Sequence, residues 1–434
     1  MAAAAFRPGG GDISIHLLRA KLLCLVGILL VAQSLGGCAT VHHPPATFET
    51  LAADAEVLRA SQLAVSDTVV ARLARRAKLR GDHTLDILLL SGGGQNGAYG
   101  AGFLRGWRTR SDAPMPEFDL VTGISTGALQ SPFALLGTEA SLDTLTSLYR
   151  HASERIAPTI NWWFCLRRDG GLLKTGRLEQ TIERELDERM CDELREEFRR
   201  DRQITIATTD YDLGVGRRWD FATELGESPE SPESPESPES PESPDGRERI
   251  RTLLLAATAI PGLFPPRILD GHIHADGGVM GNLLLGPDLH DYRALATRLR
   301  ELGVTDTVTI RAWVVMNYWT HARPLIIDPA SRNAMKKRTD MLLFTAQQPQ
   351  LLQRMSELSE AVTAGVPGLR MELRCTSIPS ELASEPGASQ FFTGEWMQRL
   401  EKLGFDRARG PAPWGPTPPD PFPSSFARPL IGVR

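Results

Sequence analysis

The sequence predicts an α/β fold with a largely parallel central sheet, and three observations carry that expectation. The apolar run at 85–90 stops at Ser91-Gly92-Gly93-Gly94 and gives way to helical spacing over 98–107, where Tyr99, Phe103, Leu104 and Trp107 recur. A second run, 118–124, enters another tight turn, and a helix begins near Thr126. Strand, turn and helix repeated in that order is how parallel strands are joined through covering helices. Third, no convincing domain boundary appears between Asp82 and about Ala408, so one domain is expected there.

The remaining elements follow from periodicity. Residues 48–78 read as helix, with Leu51, Val57, Leu58, Val69, Val70 and Leu73 set among charges. Residues 177–200 read as one charged amphipathic helix, 204–209 and 218–222 as strands, and 253–266 as the approach to the turn at Asp276-Gly277-Gly278. A strand at 308–316, a helix over 334–363, a strand at 369–374 and a helix at 394–403 complete the domain. Ser-Pro-Glu repeats five times from Ser228, and proline every third residue excludes helix and sheet there. It reads as a tolerated loop expansion rather than a recognition arm. The expected division is a leader at 1–37, a tether and helical segment at 38–81, the domain at 82–408 with an insert at 227–245, and a proline-rich, disordered tail at 409–434.

Composition excludes little except by charge. Seven acidic residues and no base lie between Glu227 and Asp245; without them the net charge of −5 becomes +2, so neither nucleic acid nor an acidic-substrate field is implied. The N-terminus says more. Arg7, Arg19 and Lys21 precede an apolar run at 22–32 that is too short for a mature membrane span and reads as a secretory signal. Leu35-Gly36-Gly37-Cys38 then resembles a bacterial lipobox, with Cys38 as the lipidated residue; the competing reading is a plain signal peptide. Ala39 lacks the aspartate that retains such proteins at the inner membrane, so the outer membrane of a bacterial envelope is expected. Cys165, Cys191 and Cys375 show no metal-ligand spacing and allow at most one disulfide.

Chemistry concentrates in three places. Gly123-Ile124-Ser125-Thr126-Gly127 sits between a strand and a helix, the context in which G-x-S-x-G presents a serine nucleophile on a strained turn. Gly123 and Gly127 leave the room such a turn needs. Gly92-Gly93-Gly94-Gln95-Asn96-Gly97 supports two functional readings: a dinucleotide fingerprint, or an oxyanion hole of backbone amides. The dinucleotide reading wants an acidic residue at the end of the next strand, and Asp119 stands at its start. Asp276-Gly277-Gly278 offers a carboxylate held in a tight turn, able to take the serine proton if burial raises its basicity. A Ser-His-Asp triad in hydrolase order would need His290 or His321, and neither sits at a glycine-marked turn.

Taken together and in this order, the three motifs resemble the patatin-like phospholipase family over about 85–407. Ala259-Ile260-Pro261-Gly262-Leu263-Phe264-Pro265-Pro266 is similar to the segment that precedes the family's aspartate. The resemblance implies a three-layer α/β/α sandwich and hydrolysis of fatty-acyl esters in phospholipids or neutral lipids. It also implies a Ser125–Asp276 dyad and an oxyanion hole from Gly93 and Gly94, with the Thr126 amide as a further candidate. Many members carry Lys or Arg where this chain has Asn96, which bears on preference for anionic head groups. No cofactor, metal, nucleic acid or obligate protein partner is expected; the expected partners are lipid substrate and a membrane surface. Asn161-Trp162-Trp163-Phe164-Cys165-Leu166 reads either as a membrane-facing lid or as core covering. The rival readings are a conventional triad esterase, a non-catalytic envelope lipid-binding protein, and a dinucleotide oxidoreductase.

Overall fold

The computed structural model describes residues 46–161, 171–227, 246–322 and 324–415. The leader and Cys38, the 162–166 part of the aromatic segment, the Ser-Pro-Glu repeats and the last 19 residues lie outside the described residues.

In chain order the elements are α1 (Phe48–Arg80), β1 (Thr84–Leu90), α2 (Gly97–Arg108), β2 (Leu120–Gly123), α3 (Thr126–Leu136) and α4 (Glu139–Arg150). Then come α5 (Gly176–Glu185), α6 (Glu188–Arg199), β3 (Gln203–Asp210), β4 (Val215–Asp220), α7 (Gly246–Ala257), β5 (Arg267–Leu269) and β6 (His272–Asp276). The chain continues through α8 (Leu289–Glu301), β7 (Val308–Met316), α9 (Arg332–Thr345), α10 (Gln347–Gly365), β8 (Leu369–Ser377) and α11 (Gly394–Arg409).

Eight strands form one sheet in the order β8-β7-β1-β2-β3-β6-β5, with β4 paired to β3. The pairings from β8 through β3 are parallel, and those involving β4, β5 and β6 are antiparallel. Side chains alternate across a strand, and β1 shows the consequence. Leu85, Ile87 and Leu89 enter a core shared with α1, α8 and α10, while Leu88 and Leu90 enter a core on the opposite face shared with α2, α3, α4 and α7. The expected three-layer α/β/α sandwich with a mostly parallel sheet is therefore what the chain builds.

Local boundaries differ in four places. The second strand is Leu120–Gly123, its register with β1 beginning at Leu120 opposite Ile87, just after the Asp119 amide donates to the Asp86 carbonyl. The expected helix over 177–200 is two helices, since Asp187 adopts extended backbone and its side chain accepts the Met190 amide, starting α6 afresh. The strand expected at 218–222 is β4, which ends at Asp220; there the side chain caps the short helix Phe221–Glu224. The helix over 334–363 is likewise two, α9 and α10, meeting at Ala346.

Asp119 is consumed at the amino edge of the sheet. Its carboxylate accepts from Arg76, Arg80 and the Asp86 amide, and Asp86 in turn accepts from Arg80, Arg311 and the Trp313 indole. This ties the end of α1 to the sheet, on the side away from the glycine-rich loops. On the covering layer, α2 and α11 cross so closely that a Cβ on Gly102 would strike the Glu401 carbonyl and one on Gly404 the Tyr99 carbonyl.

Candidate active site

β3 brings the site together. One of its edges is taken by β4 over Thr205–Asp210. The other edge is shared end to end: β2 runs along it until Gly123 faces Ile206, and β6 runs in the opposite sense until Asp276 faces Thr208. Two strands thus aim their carboxyl ends at one another along the same neighbour. Two residues beyond Gly123 stands Ser125; at the tip of β6 stands Asp276.

Ser125 has φ 52° and ψ −120°, a backbone that few non-glycine residues adopt and that functional sites hold at a cost of about 1–3 kcal/mol. Crowding explains the glycines around it. A Cβ on Gly123 would meet the Gly127 carbonyl and the Ser131 hydroxyl; one on Gly127 would meet the Leu90 carbonyl. Helix α3 begins immediately after Ser125, so its amino end and partial positive charge lie at the serine.

Asp276 is buried. Its amide donates to the Ala259 carbonyl (2.9 Å), its carbonyl accepts from Thr209 Oγ1 (2.9 Å), and its Oδ1 accepts from the Gly278 amide (2.7 Å). Ser125 and Asp276 line one cavity, and the Ser125 hydroxyl acts on the carboxyl as a neighbour. Burial pushes that carboxyl up to about 6, against the opposing pull of the Ser125 hydroxyl and the Gly278 amide. Gly277 is packed so that a Cβ would meet the Ala207 carbonyl.

The glycine-rich loop lies over the serine. A Cβ on Gly92 would come to 3.2 Å from Ser125 Cβ, and one on Gly97 would collide with Thr126 Oγ1. The Gly92 amide donates to the Asn282 carbonyl (3.1 Å), but among the described residues the amides of Gly93, Gly94 and Thr126 meet no backbone carbonyl. Gly93 and Gly94 line a cavity with Ser125 and Asp276, and Gly94 and Thr126 line an adjoining one with Ser125. Three amides without a backbone carbonyl partner thus belong to residues that line the cavities Ser125 lines.

That adjoining cavity runs between Leu129, Tyr149, Ile156, Leu178 and Phe264. A further apolar cavity shares Leu129, Tyr149, Ile156 and Leu178 with it and ends among Ile182, Leu186, Met190 and Leu254. Among the described residues no histidine lines any of these three cavities. His290 is exposed on the first turn of α8, beside a different groove, and the His321 ring pairs with Thr320 Oγ1 (2.8 Å). Neither lines a cavity that Ser125 lines.

Several residues that hold the site were given no role by the motifs. Asn317 donates to the Ser91 carbonyl (2.9 Å) and to Gln130 Oε1 (3.1 Å), and its Oδ1 accepts the Gly100 amide (3.0 Å). Gln130 donates to the Gly97 carbonyl (2.7 Å). Asn96 accepts from the Trp396 indole (2.9 Å), so its side chain braces the loop against α11. Asn317 directly follows a strand expected from sequence, on the same edge as both loops, and that position was the one available signal.

Strand, strained serine, glycine loop and buried aspartate now stand in one place. Residues 88–288 match the family model of patatin-like phospholipases. The patatin-like segment takes in all three motifs and supports, at family level, a lipid acyl hydrolase. It stops well short of residue 407, leaving α1, β7, β8 and α11 outside it. No curated protein matches the chain by sequence. Among solved structures, VipD from Legionella pneumophila is similar at 14% identity and a TM-score of 0.31, over 75% of this chain and 66% of VipD. The chain thus spans just under two thirds of VipD.

Proposed function

We propose that this protein hydrolyses fatty-acyl esters of phospholipids or neutral lipids through a covalent acyl-Ser125 intermediate, with Asp276 as the base. One observation carries the reading: a serine at φ 52° shares one cavity with a buried carboxylate whose basicity is raised to about 6. Asp276 takes the hydroxyl proton as Ser125 Oγ attacks the ester carbonyl. The oxyanion meets the amides of Gly93, Gly94 and Thr126, which need no reorganisation to receive it. The same proton then passes to the leaving alcohol, and water, deprotonated by Asp276, releases the fatty acid. The acyl chain lies in the apolar cavities between Leu129 and Leu254.

The absence of histidine from the described cavity walls favours this dyad over a triad. We further propose that lipidated Cys38 attaches the enzyme to a bacterial envelope, in the outer membrane, where the anchor raises local substrate concentration without added affinity. A fluorophosphonate probe tests the catalytic reading. Labelling of the wild type and of His290→Ala and His321→Ala, lost in Ser125→Ala, is the expected result. Loss in either histidine variant would turn the reading to a triad, and an unlabelled wild type to a lipid-binding protein.

A further inference from the structure

We propose a second site, independent of the hydrolase reading: a divalent-cation site of the zinc class formed by Asp210, Asp212, His272 and His274. Asp210 ends β3 directly opposite His274 of β6, and His272 lies on the same face of β6 one pleat away. Ligand atoms of Asp210, Asp212 and His272 all lie within 4.8 Å of one another. The fourth member supplies the independent sign. His274 is 0% exposed, its Nε2 has no hydrogen-bond partner, and that nitrogen lies 3.8 Å from Asp210 Oδ2. A buried polar atom without a partner is costly, and in a native fold it asks for an explanation.

The surroundings are those of a metal centre. Zinc-bound histidines almost always pass their second ring nitrogen to a carboxylate, carbonyl or similar acceptor. Here His272 Nδ1 faces Asp210 Oδ2 at 2.8 Å while its Nε2 faces Asp54 Oδ2 at 3.3 Å. His274 Nδ1 is held by Thr208 Oγ1 (2.9 Å), itself fixed by the Trp219 indole (2.8 Å), which leaves Nε2 turned toward Asp210. The carboxylates are oriented as well. Asp210 Oδ1 accepts the Asp212 and Leu213 amides, and Asp212 Oδ2 accepts the Ile273 amide.

Bond lengths of about 2.0–2.2 Å in a tetrahedral zinc site put ligand atoms about 3.3 Å apart. The 2.8 Å and 3.8 Å separations bracket that value. Two imidazoles and two carboxylates are a donor set that suits zinc. The nearby Arg217 guanidinium is occupied by Asp270 and by the face of Trp219. A cation here would clamp β3 to β6, the strand whose last residue is Asp276.

The full chain, stripped with a chelator, is titrated with Zn2+ alone by calorimetry, and with Co2+ to read the visible ligand-field band. One equivalent is expected in the wild type, and equally in a His42→Ala/His43→Ala variant that removes the histidine pair near the N-terminus. His272→Gln should weaken binding at least about tenfold and erase the cobalt band. Asp54→Asn, a half-buried change outside the ligand set, should weaken it by about tenfold as well. No uptake by the wild type, or undiminished wild-type affinity in His272→Gln and in Asp54→Asn, would overturn the proposal and leave the cluster as an ion-paired clip.

Discussion

Asn282 grips Gly92 through both of its polar backbone groups. The Gly92 amide donates to the Asn282 carbonyl at 3.1 Å, and Asn282 Nδ2 donates back to the Gly92 carbonyl at 3.3 Å. Asn282 lies six residues after Asp276, so this contact couples the loop carrying the proposed base to the loop carrying the proposed oxyanion donors. Its Nδ2 also donates to Gln348 Oε1 of α10 at 3.0 Å.

Asn282→Ala removes both side-chain bonds and leaves the Gln348 oxygen buried. A loss of about 1–3 kcal/mol in stability is expected in urea denaturation. Because misplacement of an amide by an ångström can cost about a hundredfold, kcat for a soluble ester should fall by at least about tenfold, with KM changed far less. Unchanged kcat would mean the glycine loop holds its shape without this tie.

Activity should follow the protonation of Asp276. The carboxyl must be ionised to accept the serine proton, so kcat/KM should rise with pH through about 6 and level off above it, measured in chelator. An inflection near the ordinary carboxylate value of about 4 would contradict the burial argument.

The same shift has a stability consequence of opposite sense. The folded pKa lies above the unfolded value of about 3.9, so the folded chain binds the proton more tightly. This contribution is fully present below pH about 4 and is lost as pH rises through about 6. Asp276→Asn escapes the loss. It should therefore be more stable than wild type by about 2–3 kcal/mol at pH 8, the difference shrinking toward pH 4, while activity falls by about a hundredfold or more. Parallel melting curves of the two proteins across that range are the check.

Leu178 stands between the two apolar cavities and lines both. Leu178→Trp should block the inner one. Each methylene denied burial costs about 0.8 kcal/mol, so two lost methylenes lower kcat/KM by about tenfold or more. Long-chain p-nitrophenyl esters should suffer this loss and butyrate should not. Equal effects on all chain lengths would place the acyl chain elsewhere.

Gly102→Ala should destabilise the fold by at least about 2 kcal/mol, since its Cβ meets the Glu401 backbone and neither helix can yield locally. Gly81→Ala is the control for a glycine with open space: at φ 65° its cost is backbone strain alone and should be smaller. Thermal melts of both variants decide it.

Much of the fold was legible because local pattern and global role coincide. The run at 85–90 is buried on both faces, so it reads as continuous hydrophobics in sequence and as a central strand in space. The breaks at Asp187 and Ala346 were not legible, because helical periodicity continues across them: Asp187 turns extended and caps a new helix, while Ala346 keeps helical dihedrals at its junction. His272 and His274 escaped notice for a related reason. Histidine-x-histidine has meaning only once β6 lies against β3 and Asp210 arrives opposite.

Sequence alone determined the chemistry on offer: a serine in a glycine-flanked turn, a glycine-rich loop and an aspartate before two glycines, each marked by the small residues that tight turns demand. Tertiary structure alone decided which of these meet. Ser125 and Asp276 are 151 positions apart, and they come together because β2 and β6 share one edge of β3 and run toward each other. Asn282, Asn317 and Gln130 hold that meeting point. A buried hydrogen bond between distant residues leaves no period in the chain, whereas the absence of a side chain at a turn does.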